Sequence, residues 1–384
     1  MKTIFKSNVA LKTSLIATAV AGIFSSGVTA QHIPDSYFNY SWDGTEILVG
    51  SGQADNIKSN SDGSFTLNVK NSTAKAPDNN EWTPTGILGN YFTVQGESGY
   101  KISPNGIHLK DSDFEGNNTS SKSVASAVAL TAWGDIGTDK LSHLIEGSKF
   151  SKNKTTKSGA AIAVITEQAA NVVSSLTVKD TIFVENRSDL SGGAIALDFY
   201  DITISDSEFS DNSSGTNGGG AIASNAKKLD LFDVSFKNNK SQGNGGAIIL
   251  YNTSPLMNDG TGNKQNVHQQ ISLNINVIDK DQYYVGNEVT GDDSKGGFLY
   301  MENDAVATVN VAAGRTFTIG EEGVVDAKKD SFATDTSGKA LLVKEGTGTM
   351  VINSSMEDFN GAFDVTQGKV RIATLNMPGV LSAD

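Results

Sequence analysis

The stretch FSDNSSGTNGGGAI occupies residues 209–222, and related stretches recur along the chain. Each copy has an aromatic residue, an Asn three places later, a short polar run, and small residues that lead into alternating apolar positions. A motif repeated in this way indicates a repeat architecture before it indicates a reaction. The recurring positions are Phe114 and Asn117; Phe150 and Asn153; Phe183, Asn186, Gly192 and Gly193; Phe209, Asn212, Gly219 and Gly220; Phe236, Asn239, Gly245 and Gly246; and Tyr284, Asn287, Gly296 and Gly297.

The period and the apolar pattern together predict a solenoid made of β-strands. The aromatic residues at 183, 209 and 236 lie 26 and 27 residues apart, which fits one coil. Within a coil, Ile195 and Leu197 lie two residues apart, as do Ile202 and Ile204, and this spacing is typical of strands. We therefore expect two recognisable strands per coil and a third, less regular one.

The motif residues have structural reasons to recur in such a stack. Gly accepts positive φ and leaves room where a neighbouring coil approaches, so the Gly pairs are expected at corners. Stacked Asn side chains tolerate a left-handed turn and exchange amide hydrogen bonds, which predicts an internal Asn ladder. The aromatic residues are expected to stack in the core. All these positions are interpreted as structural.

The first 30 residues are typical of a secretory signal peptide. Lys2 and Lys6 precede the apolar segment 15–24, and Val28-Thr29-Ala30 offers a cleavage site before Gln31. The chain has no Cys, so stability is expected to come from stacked hydrogen bonds and apolar burial. A formal net charge of −13 argues against nucleic acid as a partner.

The paired Phe-x-x-Asn and Gly-Gly-Ala-Ile motifs resemble those of the polymorphic membrane proteins, a branch of the autotransporters. Residues 342–352 and 359–372 resemble the repeat that commonly ends autotransporter passengers. The resemblance implies an all-β, right-handed parallel β-helix that is exported across the inner membrane. The expected location is the cell surface, the outer membrane or the medium, or the periplasm if no barrel is supplied.

The chain is expected to divide into five parts. These are a signal peptide at 1–30, an N-terminal β-rich region or cap at 31–110, the repeat-bearing β-helix at 111–301, C-terminal coils with the passenger-terminal repeat at 302–372, and a tail at 373–384. A membrane barrel needs many alternating strands of about 9–11 residues. We expect no barrel in this sequence. Either the chain is a passenger fragment or the product of a truncated gene, or the outer-membrane translocator that the resemblance implies is supplied otherwise.

The resemblance implies adhesion to host cells and a role in virulence. We expect a non-enzymatic passenger that binds a cell-surface protein or glycan, with the ligand unidentified. Solenoid insertions form loops on one side, which makes 168–173 and 251–270 the better contact candidates. The alternative is a β-helical polysaccharide lyase or glycosidase that uses outward carboxylates. Its candidate residues are Asp198, Asp201, Asp206, Asp230 and Asp233.

Other catalytic and ligand-binding signals are weak. The four histidines are His32, His108, His143 and His268, and none has the i, i+4 partner or neighbouring Cys that indicates zinc. We therefore predict no catalytic residues, no metal site and no cofactor. The residues that bind a ligand are unknown at this stage.

Overall fold

A computed structural model describes residues 37–42, 45–50, 57–59, 65–70, 73–75, 85–90, 108–120, 125–133, 142–167, 175–198, 201–251, 256–258, 264–266, 270–373 and 378–383. These residues form strands and turns, and no helix occurs among them. The expected signal peptide and the insertion at 168–173 lie outside the described residues. The same holds for most of the expected cap at 31–110 and of the insertion at 251–270.

Antiparallel pairs occur at the N-terminal end of the stack. β1 pairs with β2, β2 with β6, and β3 with β4, all antiparallel. β4, β5 and β6 then pair in parallel with the strands of the next coil. The six strands are β1 (Tyr37–Trp42), β2 (Thr45–Gly50), β3 (Ile57–Ser59), β4 (Phe65–Lys70), β5 (Thr73–Lys75) and β6 (Thr85–Asn90).

The aromatic repeats form coils of four strands each. The strands are β7 (His108–Lys110), β8 (Asp113–Glu115), β9 (Asn118–Ser120), β10 (Ala125–Trp133), β11 (Ser142–Glu146), β12 (Lys149–Ser151), β13 (Lys154–Thr155), β14 (Ile162–Glu167), β15 (Ser175–Lys179), β16 (Ile182–Val184), β17 (Arg187–Ser188), β18 (Ile195–Asp198), β19 (Asp201–Ser205), β20 (Glu208–Ser210), β21 (Ser213–Ser214), β22 (Ile222–Asn225), β23 (Lys228–Phe232), β24 (Ser235–Lys237), β25 (Lys240–Ser241), β26 (Ile248–Leu250), β27 (Leu256–Asn258), β28 (Lys264–Asn266), β29 (Ser272–Val277), β30 (Gln282–Tyr284), β31 (Glu288–Val289) and β32 (Leu299–Met301). β27 and β28 pair antiparallel with each other. The coil thus has more strands than the apolar pattern predicts.

The later coils become simpler. Their strands are β33 (Val306–Val311), β34 (Thr316–Ile319), β35 (Phe332–Thr334), β36 (Leu341–Glu345), β37 (Thr349–Ile352), β38 (Ala362–Val365), β39 (Lys369–Ile372) and β40 (Val380–Ala383). β40 pairs in parallel with β38, so residues 380–383 continue the stack.

Equivalent strands of successive coils lie side by side in four parallel sheets. We number the sheets in the order in which one coil visits them. Sheet 1 contains β7, β11, β15, β19, β23, β29, β33, β36, β38 and β40; sheet 2 contains β8, β12, β16, β20 and β24, then β30, β34, β37 and β39; sheet 3 contains β5, β9, β13, β17, β21, β25 and β31; sheet 4 contains β6, β10, β14, β18, β22, β26, β32 and β35. Stacked parallel coils of this kind confirm the predicted all-β, right-handed parallel β-helix.

The core is a column of aromatic rings flanked by aliphatic rows. Phe114, Phe150, Phe183, Phe209 and Phe236 are fully buried. Neighbouring rings in this set have centroids 4.6–5.2 Å apart and planes within 3–8° of parallel. Burying one such side chain contributes about 1.5–3 kcal/mol, so each coil adds a similar increment to the same column.

Candidate functional site

The Asn of each repeat lies inside the coil and continues one hydrogen-bonded ladder. From Asn117 to Asn239, each Nδ2 donates to Oδ1 of the next Asn along the stack over 2.9–3.0 Å. The backbone N–H of each donor residue reaches the same Oδ1 over 3.0–3.2 Å. From Asn153 onward, Nδ2 also donates to a Phe carbonyl of a preceding coil. These amides are structural groups.

The left-handed turn of each repeat lies one residue before the Asn. In all six copies the residue between the aromatic strand and the Asn has positive φ, from 55° at Asn238 to 74° at Gly286. The sequence interpretation assigned this turn to the Asn itself. The reversal at the preceding residue instead directs the Asn amide inward, where it meets its neighbour. The other members are Gly116, Lys152, Glu185 and Asp211.

The two glycines of a pair serve different purposes. Gly192 and Gly219 have φ of 60° and 70°, a backbone conformation that favours glycine. Gly193 follows with a different constraint, because a Cβ there would lie 2.0 Å from the carbonyl oxygen of Gly220. The pair therefore combines a turn with a close approach between coils.

The Asn ladder ends on a buried carboxylate. Asp330 Oδ1 accepts from Asn287 Nδ2 at 3.0 Å and from its N–H at 2.9 Å, and Oδ2 accepts from the Gly286 N–H at 2.7 Å. Burial raises the pKa of Asp330 to about 6, although these donors and the charge of Lys329 act in the opposite direction. Sequence inspection missed this residue because it follows no Phe-x-x-Asn motif.

Sheet 1 presents a polar surface on its outward side. In β19, β23, β29 and β33, apolar side chains alternate inward while their neighbours face out. The outward side chains are half-buried apart from Lys228, which is exposed. We name this surface the polar platform and define it by Asp201, Thr203, Ser205, Lys228, Asp230, Phe232, Ser272, Asn274, Asn276, Val306, Thr308 and Asn310.

The connections that vary most in length in the aromatic-repeat coils lead from sheet 4 to one edge of this platform. Segments 134–141, 168–174, 199–200, 226–227 and 251–271 lead from sheet 4 to sheet 1. By contrast, the turns from sheet 1 to sheet 2 stay short in the same coils, with two residues at 147–148, 180–181, 206–207 and 233–234 and four at 278–281. The expected contact insertions at 168–173 and 251–270 belong to the variable corner. Length variation is thus concentrated beside the outward face of sheet 1.

The five candidate carboxylates of a lyase do not form one cluster. Asp201 and Asp230 share the polar platform, on neighbouring strands whose register pairs Asp201 with Lys228. Asp206 and Asp233 occupy left-handed turns, where the Asp233 carboxylate accepts the N–H groups of residues 278 and 279. Asp198 lies on sheet 4, where burial raises its pKa to about 6 against a hydrogen bond from residue 225.

Lys228 pairs with one platform carboxylate and is the register neighbour of the other. Its Nζ lies 2.6 Å from Asp230 Oδ2. The hydrogen bond to Asp230 is the main reason that the pKa of Lys228 is raised, and the charge of Asp201 contributes as well. A carboxylate neutralised in this way is poorly suited to act as a base.

The described histidines do not form a metal centre. His143 points into the core, where burial lowers its pKa to about 4. His108 Nε2 lies 3.3 Å from Glu146 on the outer side of sheet 1, while His32 and His268 lie outside the described residues. Among the described residues no group of three or more His, Cys, Asp or Glu side chains could hold a metal ion. That part of the chain also contains no helix long and apolar enough to cross a membrane.

One inward position carries a lysine that the apolar pattern would not predict. Lys344 is fully buried in β36, in the row where Val309 and Val365 are its register neighbours. Its Nζ donates to the carbonyl oxygens of Gly346 at 2.8 Å and Gln367 at 3.2 Å. The lysine therefore satisfies turn carbonyls in the last coils.

Comparisons with known proteins agree with this architecture. Residues 233–249 match the Chlamydia polymorphic membrane protein repeat, a window that contains Phe236, Asn239, Gly245 and Gly246. A probable autotransporter of Escherichia coli K12, YfaL, is 28% identical over 100 residues, which cover 26% of this chain and 8% of that relative. No solved structure matches significantly. The two matches support an autotransporter-like passenger, and the chain spans a small part of the curated relative.

Proposed function

We propose that this autotransporter-like passenger is a non-enzymatic adhesin, exported to the cell surface or the medium, that binds a ligand on host or neighbouring cells. Contact is made by the polar platform and by the connections along its edge. The autotransporter relative implies a separate translocator domain, which in this proposal delivers the passenger. The buried repeat motif supports the platform and does not touch the ligand.

The observation that carries the proposal is the concentration of variable connections at one corner. Solenoids tolerate insertions wherever a turn reaches solvent, yet here the turns from sheet 1 to sheet 2 stay short in the same coils. Binding residues often lie on loops held by a rigid scaffold, and solenoid insertions commonly mark the binding side. The platform at this corner reaches across four coils.

A polysaccharide lyase is less well supported. Asp201 and Asp230 share the outward surface, but Lys228 pairs with Asp230 at 2.6 Å and leaves no acid–base couple between them. The remaining candidates, Asp198, Asp206 and Asp233, lie on other faces or in turns. We therefore infer that the platform binds a ligand without cleaving it.

Binding of the fluorescently labelled chain to cultured epithelial cells and to bacterial cells tests this function. Thr203→Arg places a bulky charge on the platform and is expected to reduce cell binding at least fivefold. Ser235→Arg makes the same kind of change at a half-buried outward position of sheet 2 and should leave binding unchanged. Equal binding by both variants and the wild type would refute a platform contact.

The same preparation should be incubated with polygalacturonate and with neutral glycans, and assayed for reducing ends and unsaturated products. We expect no turnover. If the wild type cleaves a glycan and Asp230→Asn does not, the chain is a lyase or glycosidase and the adhesin proposal is wrong.

A further inference from the structure

The polar platform contains one aromatic side chain. Phe232 is half-buried, points outward from β23, and lies in register between Ser205 and Asn276 of the adjacent coils. No other Phe, Tyr or Trp occurs among the described outward side chains of sheet 1. Unlike the inward Phe236, Phe232 is not a member of the buried core. An apolar ring is thus presented within a polar surface.

The polar groups around this ring are already held in position. Asp230 Oδ1 accepts from Asn274 Nδ2 at 2.7 Å, and Oδ2 accepts from Lys228 Nζ at 2.6 Å. Asn276 Nδ2 donates to the carbonyl oxygen of Leu231 at 3.3 Å. A ligand therefore meets side chains whose rotamers are restrained before binding, which lowers the entropy cost of association.

The charges on the platform restrict the class of ligand. Its ionised groups are Asp201, Asp230 and Lys228, and the single ammonium is paired with Asp230. A polyanion such as a uronic acid polymer or a sulfated glycan would meet no unpaired cation among these twelve residues and two carboxylates. Apart from Phe232 and Val306, the other platform side chains carry hydroxyl or amide groups, which both donate and accept hydrogen bonds.

We propose that the polar platform is a binding site for a neutral, linear oligosaccharide, centred on Phe232. The C–H face of a sugar ring packs on the half-buried phenyl ring, because aromatic side chains offer a rigid apolar surface. The hydroxyls of the same sugar and its neighbours bond to Asp230, Asn274 and Thr203. Parallel strands repeat equivalent positions about every 4.8 Å, so successive sugars meet similar rows of side chains. This inference rests on the proposed adhesive function and names its ligand.

The test measures binding of soluble hexasaccharides to the full chain by titration calorimetry. The probes are β-1,4-linked N-acetylglucosamine, glucose and mannose, α-1,4-linked glucose, and galacturonate as the anionic comparator. We expect at least one neutral probe to bind, with galacturonate failing to bind. Phe232→Ala should lower the affinity for that neutral probe at least tenfold, and Asn274→Ala should lower it severalfold.

Ile182→Ala is the matched control, because Ile182 is an apolar side chain 43% exposed on the outward side of sheet 2. The affinity of this variant for the neutral probe should stay within twofold of that of the wild type. Circular dichroism and the melting midpoint verify that each variant is folded. If no neutral probe binds, or if Phe232→Ala binds as the wild type does, the oligosaccharide inference is wrong.

The cell-binding experiment separates this inference from the adhesin proposal. If Thr203→Arg loses cell binding but the wild type binds no neutral glycan, the adhesin proposal stands and the oligosaccharide inference is wrong. If the wild type binds a neutral glycan through Phe232 but binds no cells, the oligosaccharide inference stands and the adhesin proposal is wrong.

Discussion

At the scale of the residue, the Asn ladder determines how one coil is attached to the next. Each amide donates in the same direction along the stack, so every member from Asn117 onward depends on the acceptor of its successor. Asp330 can end such a row because an ionised carboxylate only accepts hydrogen bonds. Amide ladders of this kind are directional, and their two ends are not equivalent.

Replacing Asn212 by Leu should destabilise the fold without removing a ligand contact. The change leaves the amide of Asn186 without its 3.0 Å acceptor and the Phe183 carbonyl without its donor. One buried unsatisfied group costs about 1–3 kcal/mol. The melting midpoint should therefore fall, whereas Asn217→Leu in an exposed turn should melt like the wild type. An unchanged midpoint for Asn212→Leu would contradict the internal role.

The raised pKa of Asp330 should make the free energy of unfolding depend on pH. Burial raises its pKa to about 6 in the folded chain, above the ordinary value of 3.8 for an Asp carboxyl. A raised carboxyl pKa means that the folded state holds its proton more tightly, so this stabilising contribution is complete below about pH 4 and is lost as the pH rises through about 6. At about 1.4 kcal/mol per pKa unit, the span is on the order of 2–3 kcal/mol.

The measurement compares the melting midpoints of the wild type and Asp330→Asn from pH 4 to pH 7. The midpoint of the wild type relative to the variant should decline across this range. Contributions from His143 and Asp198, whose pKa values are also shifted, are common to both proteins and cancel. A difference that does not vary with pH would show that Asp330 does not titrate in this window.

At the scale of the element, the sequence reveals some strands and conceals others. Ile202 and Ile204 alternate inward within the five-residue strand β19, so the period of two is visible. Strands such as β20, with three residues, and β21, with two, are too short to show any period. They form because neighbouring coils stack in register, and that information lies in the repeat rather than in the segment.

The platform could not be predicted from the sequence for the same reason. Phe232 and Asn276 become neighbours only because β23 and β29 pair in register across the insertion. The sequence did indicate which insertions are long, at 168–173 and 251–270. It did not show that both lie at the corner between sheet 4 and sheet 1, because the strands that define this corner had first to be assigned.

At the scale of the whole molecule, the coils are not uniform along the stack. Up to β24 the aromatic rings are parallel, but the Phe236 and Tyr284 rings meet at 74°. Sheet 2 is joined at the same place by one isolated bridge, between Lys237 and Val285. The segment 251–271 enters sheet 1 at this coil as well. Sheets 1, 3 and 4 continue across this junction, so the interface loses only the pairing of sheet 2. In a solenoid, stability sums coil and interface terms, and we therefore expect the stack to open first at this coil.

Limited proteolysis should therefore begin at this junction and leave a resistant C-terminal fragment that starts near residue 270. In residues 270–373 the connections from sheet 4 to sheet 1 are short, at 302–305 and 335–340, whereas the equivalent connections of earlier coils are longer at 134–141 and 168–174. Proteases cleave preferentially where exposed chain departs from paired strands. Mass spectrometry of the products identifies the first cut and the surviving core.

A variant in which 252–269 is replaced by a short Gly-Ser linker is the control for this prediction. If that insertion is the primary site, its removal should slow the first cleavage and shift it to 134–141 or 168–174, while the C-terminal fragment remains resistant. The Asn ladder and the parallel ring column would instead stabilise the coils before residue 251, because both lie mainly there. A surviving core that maps to residues before 251 would show that ladder stability outweighs loop exposure, and that the junction does not protect the C-terminal coils.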